Sequence, residues 1–232
     1  MSRHTNENRK KARKVATLER IEKRFLVFSE GEETEPHYFK GFKRAIESNP
    51  IYKNSVQLIP IGTGRETINV VKEAEKYIQK HGITFAEVWC LYDKDDFPAD
   101  QFNSASRYVT ELNAKYASTQ VNFHAAWSNE CIEYWFVLHF SNYTSNNHRA
   151  QYEEFLDRVF RQHGLGAYKK NDPEIWDKLL DKGNPKNAIT FSDRQLRSFS
   201  NCQDSECAPA TRVHELVKEL RVYLPPNIRS QF

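Results

Sequence analysis

Nowhere in this 232-residue chain do apolar residues run on for the ~18 positions that a membrane-crossing helix needs. No transmembrane segment is therefore expected. The N-terminus is basic but no apolar stretch follows it, so no secretory leader is expected either. Cysteine is sparse and scattered, at Cys90, Cys131, Cys202 and Cys207. Cys90 sits inside an apolar run, which suits a buried free thiol better than a disulfide, and a reducing cytoplasm is the expected setting. Cys202 and Cys207 with His214 lack the fourth ligand of a zinc site. A Walker loop is missing as well. The turn Gly62-Thr63-Gly64-Arg65-Glu66 has neither its spacing nor its Lys-Ser/Thr pair, and reads as a helix-capping turn or an anion-favouring helix start. There is no internal repeat.

What is present can build a core. Apolar residues make up 39% of the chain and aromatics 13%, which excludes disorder over the whole length. The net charge of +3 conceals an asymmetry. Residues 1–24 hold nine Lys/Arg against three Glu, a balance of +6, so the other 208 residues sum to −3. Residues 1–23 read as a basic arm that could attract nucleic acid phosphates, or simply as a solubilising tail.

Strand and helix signals alternate along the chain. Phe25–Phe28 is a continuous apolar run ending in Glu-Gly, as in a strand buried on both faces. Pro36 suits a first helical turn, and Phe39, Phe42 and Ile46 follow at helical spacing. "SVQLIPIGTG" is a second strand whose Pro60 hints at a sheet edge. A helix over Arg65–Lys80 ends at Gly82. "AEVWCLYDKDDF" is a third strand, Phe102–Tyr116 a third helix and "VNFHAAWSN" a fourth strand. "ECIEYWFVLHF" could form helix or strand, and helix is preferred because it puts Glu130, Glu133 and Tyr134 on one face. Residues 141–200 look loop-rich, with Tyr152–Gln162 helical, and "ATRVHELVKELRVYL" is a closing amphipathic helix. Such alternation implies a parallel sheet with right-handed crossovers, whose sites form at the C-terminal strand ends.

That rule puts Glu30 and the run Asp93-Lys94-Asp95-Asp96 on one rim. Alternate residues of an extended chain face the same way, so Asp93 and Asp95 can converge on one cation. Hard carboxylate oxygens suit Mg²⁺, and a cluster of like charges is costly without a counter-ion. The ordinary alternative is an acidic turn capping the next helix. Two strands of one sheet ending in acids favour the metal site, with Gly31 letting the chain turn after Glu30.

These residues carry a resemblance. "FLVFSEGEETE" resembles the first TOPRIM motif, a strand ending in Glu-Gly, and "EVWCLYDKDDF" the second, a strand ending in Asp-x-Asp. With "SNECIEYWFVLHF" and "APATRVHELVKEL" they resemble the RloB-like family over residues 24–222. Its members are prokaryotic, TOPRIM-like and encoded near restriction or abortive phage-defence genes. One departure is Asn129-Glu130, where such proteins often show Asn-Pro. The resemblance implies a Rossmann-like α/β core with a central, mostly parallel sheet of four strands flanked by helices. It implies Glu30 as acid/base or ligand, Asp93 and Asp95 as ligands of Mg²⁺ or Mn²⁺, and a nucleic acid substrate, with a partner ATPase or other defence protein conceivable.

The resulting expectation is an arm over 1–23, a TOPRIM-like core over 24–128 and a mainly helical elaboration over 129–232 packed on it. The metal set is Glu30, Asp93, Asp95 and Asp96. Glu32, Glu133, His139, Lys169 and Lys170 are candidates for a supporting or substrate role, each with a plainer alternative: a solvated helix start for Glu32, a paired buried acid for Glu133, a core histidine for His139, surface lysines for the last two. Phe123, Trp127, Tyr134 and Trp135 are taken as core and not as base-stacking platforms. The expected activity is metal-dependent phosphodiester hydrolysis of DNA or RNA in antiphage defence. A non-catalytic protein that binds nucleic acid or a partner on the same scaffold is the alternative.

Overall fold

An apolar run such as Phe25–Phe28 is stable as a strand only if both of its faces are covered. The computed structural model, which describes residues 21–232, covers both. Strand β1 (Lys23–Ser29) is followed by helix α1 (Thr34–Ser48), β2 (Val56–Gly62), α2 (Ile68–His81), β3 (Ala86–Leu91), α3 (Ala99–Tyr116) and β4 (Val121–Ala125). The sheet has the order β2-β1-β3-β4 and every pairing is parallel. This is the Rossmann-like, TOPRIM-like α/β architecture expected. Pro60 lies in β2, an edge strand, where one side of the backbone needs no ladder partner. The basic arm falls almost wholly on residues 1–20, outside the described residues.

Alternation along β1 sorts the core into two layers. Leu26 and Phe28 point to one face, with Val71 and Ala74 of α2 and Phe102 and Leu112 of α3. Phe25 and Val27 point to the other, where Phe39, Phe42 and Ile46 of α1 meet the C-terminal part of the chain.

That part runs β5 (Ser128–Asn129), α4 (Ile132–Val137), α5 (Arg149–Gln162), α6 (Ile175–Lys182), α7 (Pro185–Ser198), β6 (Ala210–Thr211), α8 (Val213–Leu220) and α9 (Pro226–Arg229). Its apolar residues do not form a core of their own. Trp135, Leu156, Trp176 and Leu216 join Phe25, Val27 and α1 in a single layer. Gly41 of α1 sits against Trp176 so closely that a Cβ there would overlap the indole.

Three expectations need correction. Residues 141–200 are not loop-rich, because α6 and α7 lie there besides α5. α7 starts where Asn184 accepts a hydrogen bond from the Asn187 N–H at 2.9 Å, with Pro185 at the first helical position. The aromatic segment after Cys131 gives only the six-residue α4. The closing helix is likewise short, Val213–Leu220, followed by a tighter turn at Arg221–Tyr223.

Candidate metal and catalytic site

β1 and β3 are neighbours, and both deliver acids at their C-terminal ends. The Glu30 N–H donates to the Leu91 carbonyl at 3.0 Å, continuing the ladder one residue beyond the strand. The Glu30 carboxylate accepts from the Thr67 N–H at 3.2 Å, so the amide in the Thr63–Thr67 loop holds the protein's own anion. Burial pushes the Glu30 carboxyl up to about 7. The negative charges of Asp95 and Glu35 add to the shift, and amide hydrogen bonds from Thr67 and Asp93 only partly oppose it.

Gly31 is needed for space and not for an unusual backbone angle. Its N–H donates to Glu35 Oε1 at 3.3 Å, and a Cβ would collide with that carboxylate. Glu35, in the first turn of α1, is therefore turned inward and is only 4% exposed. Burial raises its carboxyl, with the charge of Glu133 next.

Asp93 and Asp95 do converge, but not by strand alternation. β3 ends at Leu91, and Asp95 has φ of 38°, in the left-handed region that Asp tolerates better than most residues. The turn is braced from β5: the Lys94 and Asp95 N–H groups donate to the Glu130 carbonyl at 2.9 and 3.1 Å, and Lys94 N–H also to Ser128. Lys94 Nζ reaches the carbonyls of Asp95 and Phe97, so this side chain fastens the turn. Burial raises the Asp93 carboxyl well above its usual range, followed by the charges of Glu35, Glu133 and Asp95. Burial also raises Asp95, against the pull of Arg149.

Arg149, the first residue of α5, lies between the two aspartates. One terminal nitrogen stands 3.0 Å from Asp93 Oδ2 and 2.7 Å from Asp95 Oδ1. Glu133, fully buried on α4, accepts from the Tyr168 hydroxyl at 3.2 Å through Oε1. Its Oε2 has no hydrogen-bond partner and lies 3.8 Å from Arg149 Nε, which is also without an acceptor. Glu130 pairs with His148 at 3.2 Å and accepts from the Arg149 N–H at 3.4 Å. The Lys170 ammonium is close enough to favour the charged forms of Glu35 and Asp95.

Six carboxylates (Glu30, Glu35, Asp93, Asp95, Glu130 and Glu133) thus face two fixed cations, Arg149 and Lys170, with His148 beside Glu130, so negative charge is in formal excess. The upward shifts of four of these acids come first from burial, and the crowding of like charges adds to them. No group of three or more His, Cys, Asp or Glu among the described residues forms a ready metal cage. Mg²⁺ does not require one, since it is commonly held by one or two carboxylates plus water and substrate phosphate oxygens. Asp93 and Asp95, already converging on one positive group, fit that chemistry.

Other candidates fall elsewhere. Asp96 is exposed, beside Asp95 in the turn that the Phe97 N–H closes on the Lys94 carbonyl at 3.0 Å. Glu32 is exposed and lies over Gly64. His139 is buried, its Nδ1 bonded to the Trp135 carbonyl at 3.0 Å, and burial pushes it down to about 4; it is a neutral core histidine apart from the acids. Lys169 lines a separate cleft with Asn171, Asp172 and Lys178, whereas its neighbour Lys170 serves the acids. Cys202 and Cys207 are joined as a disulfide and His214 bonds Asp193 and the Thr211 carbonyl, so these three residues make no zinc site. Cys90 and Cys131 are buried free thiols. Phe123, Trp127, Tyr134 and Trp135 are all core residues. Sequence reasoning missed Arg149 as a partner of the aspartates and did not single out Glu35 among its neighbouring glutamates.

The segments that carry the family resemblance come together around these acids. Asp93 bridges to Ser128, and β5 pairs antiparallel with β6, Ser128 opposite Thr211 and Asn129 opposite Ala210. A family model, described as RloB-like protein, matches residues 25–220. The chain belongs to the RloB-like family. Comparison with curated proteins and with solved structures finds no match. In this RloB-like chain the Asn129–Glu130 peptide is cis, at the position where the family often has Asn-Pro. A cleft of about 500 Å³ adjoins the rim beyond the Thr63–Thr67 loop, lined by Arg65, Lys76, Lys80 and His81 together with Tyr77 and Glu73, the last paired with Lys76 at 2.7 Å. No helix among the described residues is long and apolar enough to cross a membrane.

Proposed function

We propose that this RloB-like protein is a Mg²⁺-dependent phosphodiester hydrolase that cuts nucleic acid in prokaryotic defence against phage. The observation that carries the proposal is the convergence of Asp93 and Asp95 on one cationic position at the end of β3, beside Glu30 at the end of β1. Asp93 and Asp95 would hold the ion. Bound there, Mg²⁺ supplies Lewis-acid polarisation of the scissile phosphate and acidifies an attacking water. Glu30, with a carboxyl near 7, is suited to take or give a proton at neutral pH, and its hydrogen bonds from the amides of Thr67 and Asp93 fix its position. Lys170 offsets charge from the side of Glu35. The basic cleft beside the Thr63–Thr67 loop offers flanking phosphates a path away from the acids.

The alternative, a protein that binds nucleic acid or a partner without cutting, draws on the Arg149 bridge, which gives the aspartates a counter-ion of the protein's own. One assay separates the two. Purified full-length protein is incubated with plasmid, single-stranded DNA and tRNA in Mg²⁺, Mn²⁺ or chelator. Cleavage that needs metal supports the hydrolase. Binding with no cleavage of any substrate supports the alternative.

A further inference from the structure

The bridging guanidinium of Arg149 makes only an incomplete set of bonds. Its terminal nitrogen contacts both aspartates, yet Nε is buried without an acceptor. Glu133 Oε2, 3.8 Å from it, is equally buried and unpartnered. Two buried polar atoms left unsatisfied side by side are costly, so this arrangement is a compromise. With the terminal nitrogen on the aspartates, the two atoms stand 3.8 Å apart, an ion pair without a hydrogen bond. The mounting of the side chain is also informative. Arg149 begins α5 and follows a segment, Ser141–His148, that is neither helix nor strand. Its side chain is 30% exposed, so it stands at the rim and has open space beside it. Arginine is the cation best matched to phosphate, with a planar fork that binds two oxygens and loses water readily.

We propose that Arg149 holds the place of the divalent cation in the metal-free protein. When metal occupies Asp93 and Asp95, the guanidinium leaves them and binds a phosphate oxygen of the nucleic acid. Arg149 is thus both a competitor of the metal and a substrate-positioning residue. This rests on the hydrolase reading and adds to it a specific cost: the metal must displace an ion pair, so the native arginine weakens metal binding and couples it to substrate. Substrate phosphate and metal then favour one another, because each stabilises the displaced guanidinium or the vacated aspartates.

The test is calorimetric titration of full-length protein with Mn²⁺, with melting temperature as a second readout. Wild type, R149A and R149Q are compared, and D95N/R149A serves as a control lacking one ligand. R149A is expected to bind Mn²⁺ at least ~10-fold more tightly than wild type and to show a larger metal-induced rise in melting temperature. The gain should vanish in D95N/R149A. In Ca²⁺, a short single-stranded oligonucleotide should bind R149A at least ~10-fold more weakly. R149Q, which keeps bulk and a donor while losing the charge, carries the same expectation if R149A does not fold. Folded R149A or R149Q with unchanged or weaker Mn²⁺ affinity overturns the proposal and makes Arg149 a brace of the turn, while leaving a metal site standing. Failure of wild type and both variants to take up Mn²⁺ removes the metal itself, and the proposal with it.

Discussion

A left-handed φ of 38° at Asp95 means that the side chain which would hold metal sits on a backbone few residues accept. Asparagine accepts it at least as well as aspartate, so D95N isolates the charge, whereas D95A adds backbone strain of about 1 kcal/mol or more. D95N is expected to fold and to lose at least ~10²-fold in cleavage rate. D96N, altering the exposed side chain next to Asp95 in the same turn, should keep most of the activity. Equal losses in the two would bring Asp96 into the site beside Asp95. Lys94 is a poor control, because its ammonium ties the carbonyls of the same turn. Glu30 yields a pH prediction. Its folded carboxyl titrates near 7, against 4.5 for an ordinary glutamate, so the folded state holds this proton more tightly than the unfolded chain. Ionising Glu30 therefore costs the fold nothing below about 4.5 and progressively more as pH rises through 7. In chelator, E30Q should melt above wild type at pH 8, with the advantage gone at pH 4; an offset independent of pH would contradict the burial of this carboxylate.

At the level of elements, the first half of the chain was readable because its signals agree. Apolar runs of strand length end in acids, and helical spacing recurs between them, so four strands and the acids Glu30, Asp93 and Asp95 at their ends followed from pattern. After residue 140 the same logic found α5 and α8 but missed α6 and α7. α6 is eight residues long and its buried set is Ile175, Trp176 and Leu179, too few for a clear period, while the turns flanking it contain Pro173, Gly183 and Pro185. The Asn184-Pro185 pair was the available signal for α7. Glu35 was hidden among neighbouring acids whose inward member only α1 decides, and Arg149 lies in a polar stretch with no period at all. The cleft on α2 was equally invisible, since Arg65, Lys76, Lys80 and His81 are gathered by the turn before the helix and by its winding. If nucleic acid runs there, R65E/K80E should weaken binding several-fold at low salt and flatten its salt dependence, by about 0.9 in log-log slope for each phosphate no longer neutralised. The same salt slope as wild type would leave the cleft without that role.

For the molecule as a whole, charge is divided between the basic first 24 residues and a net acidic remainder, so nucleic acid would meet attraction in two places, the arm by composition and the α2 cleft by geometry. The acids themselves draw on stretches far apart in sequence. Asp93 and Asp95 come from β3, yet their turn hangs on carbonyls of residues 128 and 130, and β5 is paired with β6 more than eighty positions from it in sequence. Arg149 and Tyr168 come from further stretches again. During synthesis, when domains tend to fold from the N-terminus onward, the four parallel strands are all made well before residues 210–211 emerge. A ribosome-bound chain therefore carries its acids long before it carries the strand that braces their turn through β5, and the site stays unassembled until residues 210–211 have emerged.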